Sequence, residues 1–282
     1  MTYAQRQINL QFSDQTQTLD LEGLKVQAII SNPGGDNMHN FLELRAWGMP
    51  LQQMERYSST GSQTIAIEQK SVRVSVGNVG SPVTQVFGGT IVRSALDFTQ
   101  APNVCLAVSG VAGYYYKGTP APANSFKGAH NAEDIIAGLA KAAGFTFVNN
   151  GAHAVLQNQY LYGSLVDQMR TVAQAAAFPL SIEGDKAVIW PNQGYRDGSI
   201  IDIGPDTGMV GYPMYYRAGF LVRSEFNPEL LLGRQVRVTS SIKSASKTWP
   251  IQGVTHELST QDPDGPWFST VMLAPFPYVP TN

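Results

Sequence analysis

The chain has 282 residues, a formal net charge of −2 and 43% hydrophobic residues, a globular composition that excludes wholesale disorder. Lys and Arg are not clustered, which excludes an electrostatic nucleic-acid footprint. The single Cys105 excludes an intrachain disulfide and any cysteine-based zinc cluster. Charged residues make up only 14%, against roughly 25% in ordinary soluble chains. Two explanations stand: a surface meant to be covered by partners, because few charges lower its desolvation cost, or the uncharged polar surface of a secreted or viral protein.

The N-terminus has no charged-then-apolar leader, and no apolar run approaches the ~20 residues of a membrane span. A soluble protein without a membrane anchor, made in the cytoplasm, is expected. The first third reads as β-structure. Gln7–Phe12, Leu24–Ile30 and Phe41–Trp47 alternate, with Leu42, Leu44 and Ala46 opposite Glu43 and Arg45. Residues 31–37 form a loop rich in residues that tolerate positive φ. Met49–Tyr57 carries Leu51, Met54 and Tyr57 at helical spacing. Strands follow at Ile65–Ile67, Val72–Val76, Gln85–Val92 and Val104–Val108, the last burying Cys105 as a small hydrophobe. Tyr114-Tyr-Tyr116 is an aromatic run read as alternating on a strand, able to pack, to stack sugars or to fill a pocket between subunits.

The character changes near Lys117, where residues 118–123 form a turn-rich linker. Asn131 caps a helix running to Ala143, with Ile135, Ile136, Leu139 and Ala143 inward and Gly144 as its stop. A strand at Phe145–Asn149 follows. Ser164 and Asp167 approximate a capping box for a second helix, whose stripe is Leu165, Val166, Met169, Val172, Ala173 and Ala176. Phe178-Pro179 ends it, and a hairpin turning at Gly184-Asp185 joins Leu180–Ile182 to Ala187–Trp190. The phrases Leu139-Ala-Lys-Ala-Ala-Gly-Phe145 and Val172-Ala-Gln-Ala-Ala-Ala-Phe178 read as two copies of one helix-to-strand unit. Beyond Tyr195, strands are expected at Phe220–Phe226, Leu230–Leu232, Gln235–Ser240, Trp249–Glu257 and Phe268–Leu273, with 206–213 as loop. Asp262–Trp267 is a tight turn. Pro-rich 275–282 is an extended arm.

A constant offset links the two ends. Val72-Arg-Val-Ser75 falls on Val236-Arg-Val-Thr239, Phe87 on Ile251 and Gly89 on Gly253, with no gap opened; upstream, Ile67 falls on Leu231. The alternative is two unrelated hairpins of similar strand length. A duplicated barrel would let n chains close into a ring of 2n similar barrels. The expected architecture is therefore mainly β with a smaller α+β insert: two related tube-type β-barrels at 1–117 and 193–274, an insert at 118–192 and an arm at 275–282.

No enzyme signature is present. His256-Glu257 lacks the second His of a zincin helix and reads as a half-exposed strand pair. There is no Gly-x-Ser-x-Gly elbow and no P-loop. His39, His130 and His153 read as loop histidines without a ligand partner at useful spacing, and Glu183 and Asp185 flank a hairpin turn for backbone reasons. No catalytic residue, cofactor or metal is expected, although two carboxylates brought together only in space remain an open glycosidase alternative.

Several phrases resemble the baseplate (tail) hub proteins of contractile-tailed bacteriophages, relatives of hub components in contractile injection systems. They are Phe41-Leu-Glu-Leu-Arg-Ala-Trp-Gly-Met49, Val86-Phe-Gly-Gly-Thr-Ile91, Gly208-Met-Val-Gly-Tyr-Pro213, Phe226-Asn-Pro228 with Leu231-Leu-Gly-Arg234, and Ile251-Gln-Gly-Val-Thr-His-Glu-Leu258. The resemblance implies a non-enzymatic virion protein of the tail baseplate: a homotrimer joining the sixfold tail tube to a threefold central spike and lining a passage for genome or tape-measure protein. Its implied partners are its own copies, the tail tube protein, a separate spike protein and other baseplate proteins. Met209, Val210, Tyr212 and Pro213 become the first candidates for an assembly interface, followed by Tyr114 and Tyr115, and by Phe276 and Tyr278 in the arm. The alternative function is a receptor- or glycan-binding tail protein using the insert.

Overall fold

The computed structural model describes residues 5–35, 39–59 and 69–276. The expected strand at Ile65–Ile67 and Tyr278 lie outside these residues. Strands β1 (Arg6–Ser13), β2 (Thr18–Leu21), β3 (Lys25–Asn32), β4 (Phe41–Trp47), β5 (Ser71–Asn78), β6 (Thr84–Asp97) and β7 (Cys105–Val111) hydrogen-bond in the order β3-β4-β7-β6-β5-β1-β2. Their period-2 alternation sends Leu42, Leu44 and Ala46 inward and leaves Glu43 and Arg45 in solvent. The sheet curls, so Ile8, Leu10 and Phe12 of β1 share one core with Val26, Ala28 and Ile30 of β3. Helix α1 (Leu51–Tyr57) packs Met54 and Tyr57 into that core, with the Tyr57 ring 5.1 Å from Phe12. Leu51 starts the helix and faces solvent, unlike its expected inward position.

The middle of the chain has its own core. Tyr114–Gly118 forms a helical turn, α2, instead of the expected strand, entered through Gly113 in the left-handed region. β8 (Asn124–Asn131) and β10 (Val155–Leu161) make a separate two-stranded ribbon where only linker and loop were expected. α3 (Ala132–Ala142) and α4 (Leu165–Ala175) cover a three-stranded sheet, β11-β12-β9, made of β9 (Thr146–Asn149), β11 (Leu180–Glu183) and β12 (Lys186–Ile189). Ser164 caps α4 by accepting the Asp167 N–H at 3.1 Å. Asn131 occupies the cap position of α3 but accepts no backbone N–H there; its amide instead donates to the Asp134 carboxylate at 2.9 Å.

The two helix ends are the same motif. Phe145 N–H reaches Ala140 O and Gly144 N–H reaches Lys141 O. Phe178 N–H likewise reaches Ala173 O, and Ala177 N–H reaches Gln174 O. The residue after each cap is left-handed, Gly144 at φ +74° and Ala177 at φ +54°. An alanine pays a steric cost there that glycine avoids. Ala177→Gly should therefore stabilise the protein by about 0.5–1 kcal/mol and Gly144→Ala should cost about 1 kcal/mol, read from urea midpoints.

The last third repeats five strands of the first in topology, and differs beyond them: its edge strand pairs parallel with its neighbour, where β1 pairs antiparallel with β5. β13 (Ile200–Ile203), β14 (Met214–Tyr216), β15 (Gly219–Glu225), β16 (Gln235–Val238), β17 (Thr248–Thr260) and β18 (Trp267–Leu273) enclose a third core. The order β14-β15-β18-β17-β16 matches β3-β4-β7-β6-β5, strand for strand and with every pair antiparallel. β6 and β17 are both long strands that pair backward through their first half and forward through their second. The equivalent glycines lie against a neighbouring strand: a side chain at Gly89 would meet the Val111 carbonyl at 2.8 Å, and one at Gly253 the Pro33 carbonyl at 3.2 Å. The register across the hairpin is not conserved. Val72 pairs with Gly89, 17 residues on, but Val236 pairs with Trp249, 13 residues on; in the intervening turn the Ala245 carbonyl accepts from the Trp249 indole. Leu230–Leu232 is a turn and not a strand: Asn227 Oδ1 accepts from Glu229 N–H, Gly233 sits at φ +84°, and Leu230 and Leu232 point into cores.

One ladder joins the halves. β17 pairs with β3 from Val254↔Asn32 to Thr260↔Val26, so the described strands include a single 13-stranded sheet.

Candidate functional site

Because the joined sheet is continuous, one face can be followed across seven strands. Glu225, Phe268, Glu257, Ile29, Glu43, Ser109 and Arg93 are cross-strand neighbours in sequence, and none is fully buried. One residue earlier or later on each strand, or two on β6 where the register shifts at Val92, Ser224, Ser269, His256, Ile30, Leu42, Gly110 and Ile91 form the buried row behind. Both cores thus lie on one side of a wall whose other side is solvated. Charges on the open side are mixed: Arg223 is 3.0 Å from Glu257 and stacks 4.3 Å over Phe268, Glu43 accepts from Ser109 at 3.0 Å, and Arg45 and Arg93 lie beside them.

At the β14 end of this wall, apolar side chains stand in solvent. Tyr215 is 75% exposed, Tyr212 69% and Met214 62%, with Val210 also outward. Residues 209–216 run along β15, tied by Val210 N–H to Arg223 O and by the Met214↔Leu221 pairing. Of the four candidates here, Val210 and Tyr212 face out, Met209 packs against the third core and Pro213 is buried. Met214–Tyr216 were missed. Their signal was the run Tyr-Pro-Met-Tyr-Tyr, which lacks the polar alternation of a half-buried strand. Tyr114 and Tyr115 are half-buried in α2; Tyr115 is edge-on to Tyr116, which is edge-on to Phe145. Phe276 packs 5.2 Å from the Tyr195 ring, where Gln252 Nε2 holds the Ala274 and Pro275 carbonyls.

A cleft of about 590 Å³ lies where the first sheet, the insert and the second sheet meet. Behind it runs a polar chain through all three. Arg196 donates to both Glu183 oxygens at 2.5 and 2.8 Å and to the Leu232 carbonyl; Ser181 donates to Glu183 at 2.8 Å, and Asn32 donates to Ser181 and Asn40. Arg196, Ser181 and Asn32 are all buried. Glu183 is thus one half of a buried bidentate ion pair as well as a turn-flanking residue.

Three of the four histidines differ from their expected settings. His256 is buried, not half-exposed, with Nδ1 2.8 Å from Ser269 Oγ, and desolvation pushes its pKa down to about 4. His39 is buried against the Ala112 carbonyl, and burial lowers its pKa too. His153 is exposed and pairs with Glu133; His130 lies on β8. Among the described residues no three His, Cys, Asp or Glu side chains gather as metal ligands do, and no helix is long and apolar enough to cross a membrane.

The family model described as baseplate hub gp41 matches residues 45–272. Solved structures are similar over nearly the whole chain. The tail protein from Neisseria meningitidis superposes with a TM-score of 0.68 at 11% identity, covering 97% of this chain and 98% of that one. A 43 kDa prophage tail protein from Shewanella oneidensis gives 0.60 at 10% identity, covering 95% and 96%. An E. coli type VI secretion system component, itself described as similar to the bacteriophage T4 tail proteins gp27 and gp5, gives 0.59 at 10% identity, covering 94% and 76%. No curated protein sequence matches.

Proposed function

The chain belongs to the baseplate hub gp41 family of phage tail structural proteins, and on that premise we propose that it works as a non-enzymatic homotrimer around the tail axis. The two curled sheets act as tube-type barrels, so three chains present six similar units to a sixfold tail tube while keeping threefold symmetry toward a central spike. The observation that carries this reading is the repeated sheet order running through one ladder with both cores on the same side. Such a wall, repeated around an axis, encloses a passage. Its arginines and glutamates are intermixed, so it has no single-sign field to hold a polyanionic genome in transit or a passing tape-measure protein. The insert, with its exposed ribbon, faces other baseplate proteins. Native mass spectrometry of the purified chain at micromolar concentration should show three copies; a stable monomer at that concentration would count against the reading.

A further inference from the structure

We propose that neighbouring chains join by repeating the joint that already links the two halves of one chain, with the β14 edge of one copy against residues 90–96 of β6 in the next. This rests on the ring assembly proposed above and names the surfaces that close it.

Within the chain, the fourth strand of the second repeat, β17, gives the edge formed by Val254–Thr260 to β3, the first strand of the first repeat. That joint is head-to-tail: it uses the fourth strand of one repeat and the first strand of the other. Carried back by the 164-residue offset that relates Val72 to Val236, the donated edge falls on residues 90–96 of β6. The strand equivalent to β3 is β14. Among the described residues β14 pairs with β15 alone. Among the described residues, one fourth strand and one first strand therefore stand at opposite ends of the wall. A head-to-tail contact repeated between copies either closes into a ring or runs on as a filament.

The two joints are not identical in strength. On β6, Ser94 exchanges hydrogen bonds with Ser59, and Ile91 N–H donates to Lys70 O, so backbone pairing along this edge is partly taken. β14 is also three residues long where β3 has eight. The contact between copies must therefore rely on side chains more than on a ladder. That is what the edge presents: Tyr212, Met214 and Tyr215 on β14, and Val92, exposed, on β6. Uncovered aromatic surface of this kind beside an open strand edge is a docking surface.

The experiment uses the full-length chain in two forms. Tyr215→Asp with Met214→Asp should weaken self-association at least tenfold in sedimentation, with the thermal unfolding midpoint unchanged. On a Cys105→Ser background, Val92→Cys paired with Met214→Cys should give, on oxidation, disulfide-linked species ending at the trimer, while each single cysteine does not. If the wild-type trimer forms but neither the aspartates nor the cysteines affect it, this edge assignment is overturned and the trimer stands. A trimer that stays intact with the aspartates while binding of another tail protein is lost would assign the patch to that partner and overturn the proposal. A wild-type monomer would remove both.

Discussion

Replacing Arg196 with Met should destabilise the protein by about 3–5 kcal/mol, the usual effect of leaving one member of a buried ion pair uncompensated. Arg196 and Glu183 are nearly excluded from solvent and joined by two charge-assisted hydrogen bonds. Removing the guanidinium strands the Glu183 carboxylate and frees the Leu232 carbonyl in the same step. The loss should extend beyond one core, because Glu183 belongs to the insert, Arg196 and Leu232 to the following segment, and Ser181–Asn32 carries the chain on to β3. The double variant Arg196→Met with Glu183→Leu should recover most of the stability, since a buried pair replaced by apolar groups of similar volume is often near neutral. Urea denaturation of the two variants checks this. Equal losses in the single and double variants would show that the pair is not what holds the junction.

Acidification should loosen the same region through His256. Its folded-state pKa of about 4 lies below the ordinary 6.5 because burial disfavours the cation. The unfolded chain therefore takes up a proton first as pH falls. Stability is full above about pH 6.5, declines below it and levels off near pH 4, for a total of up to about 3 kcal/mol. His39, lowered in the same direction, adds to the slope. Asp14, Asp97, Asp197 and Glu133, whose pKa values are held down by hydrogen bonds and cationic partners, contribute mainly at still lower pH. His256→Gln keeps a partner for Ser269 and removes the titration. Its stability–pH curve between 6.5 and 4 should be flatter than that of wild type by the His256 share. Superimposable curves would mean that the imidazole is solvated in the native state.

Much of this fold is written in local patterns. Phe41–Trp47 alternates cleanly because one of its faces is core and the other is the open wall. The two Ala-Ala-x-Phe phrases end in the same backbone motif even though one has alanine where the other has glycine. The repeat between Val72–Gly89 and Val236–Gly253 foreshadows a shared strand order. What was hidden has physical causes. β8 and β10 pair around Gly128 and a left-handed Asn158, and most of their side chains are exposed on a two-stranded ribbon, so no hydrophobic period marks them. β13 and β14 are four and three residues long, too short to show a period. The Arg196–Glu183 pair joins residues on different elements, and local spacing carries no trace of it. The β17–β3 joint, on which the assembly argument turns, links residues more than two hundred positions apart and follows only from the folded ladder.

In the proposed assembly a duplicated sheet makes a ring of three chains look sixfold. Electron cryo-microscopy of the purified assembly, reconstructed without imposed symmetry, tests it directly. The expected reconstruction is a closed ring of three chains with six similar curved units around an open axis, the Glu43–Arg93 face of the wall lining that axis. A ring of another order, or three chains whose wall faces outward, would contradict it.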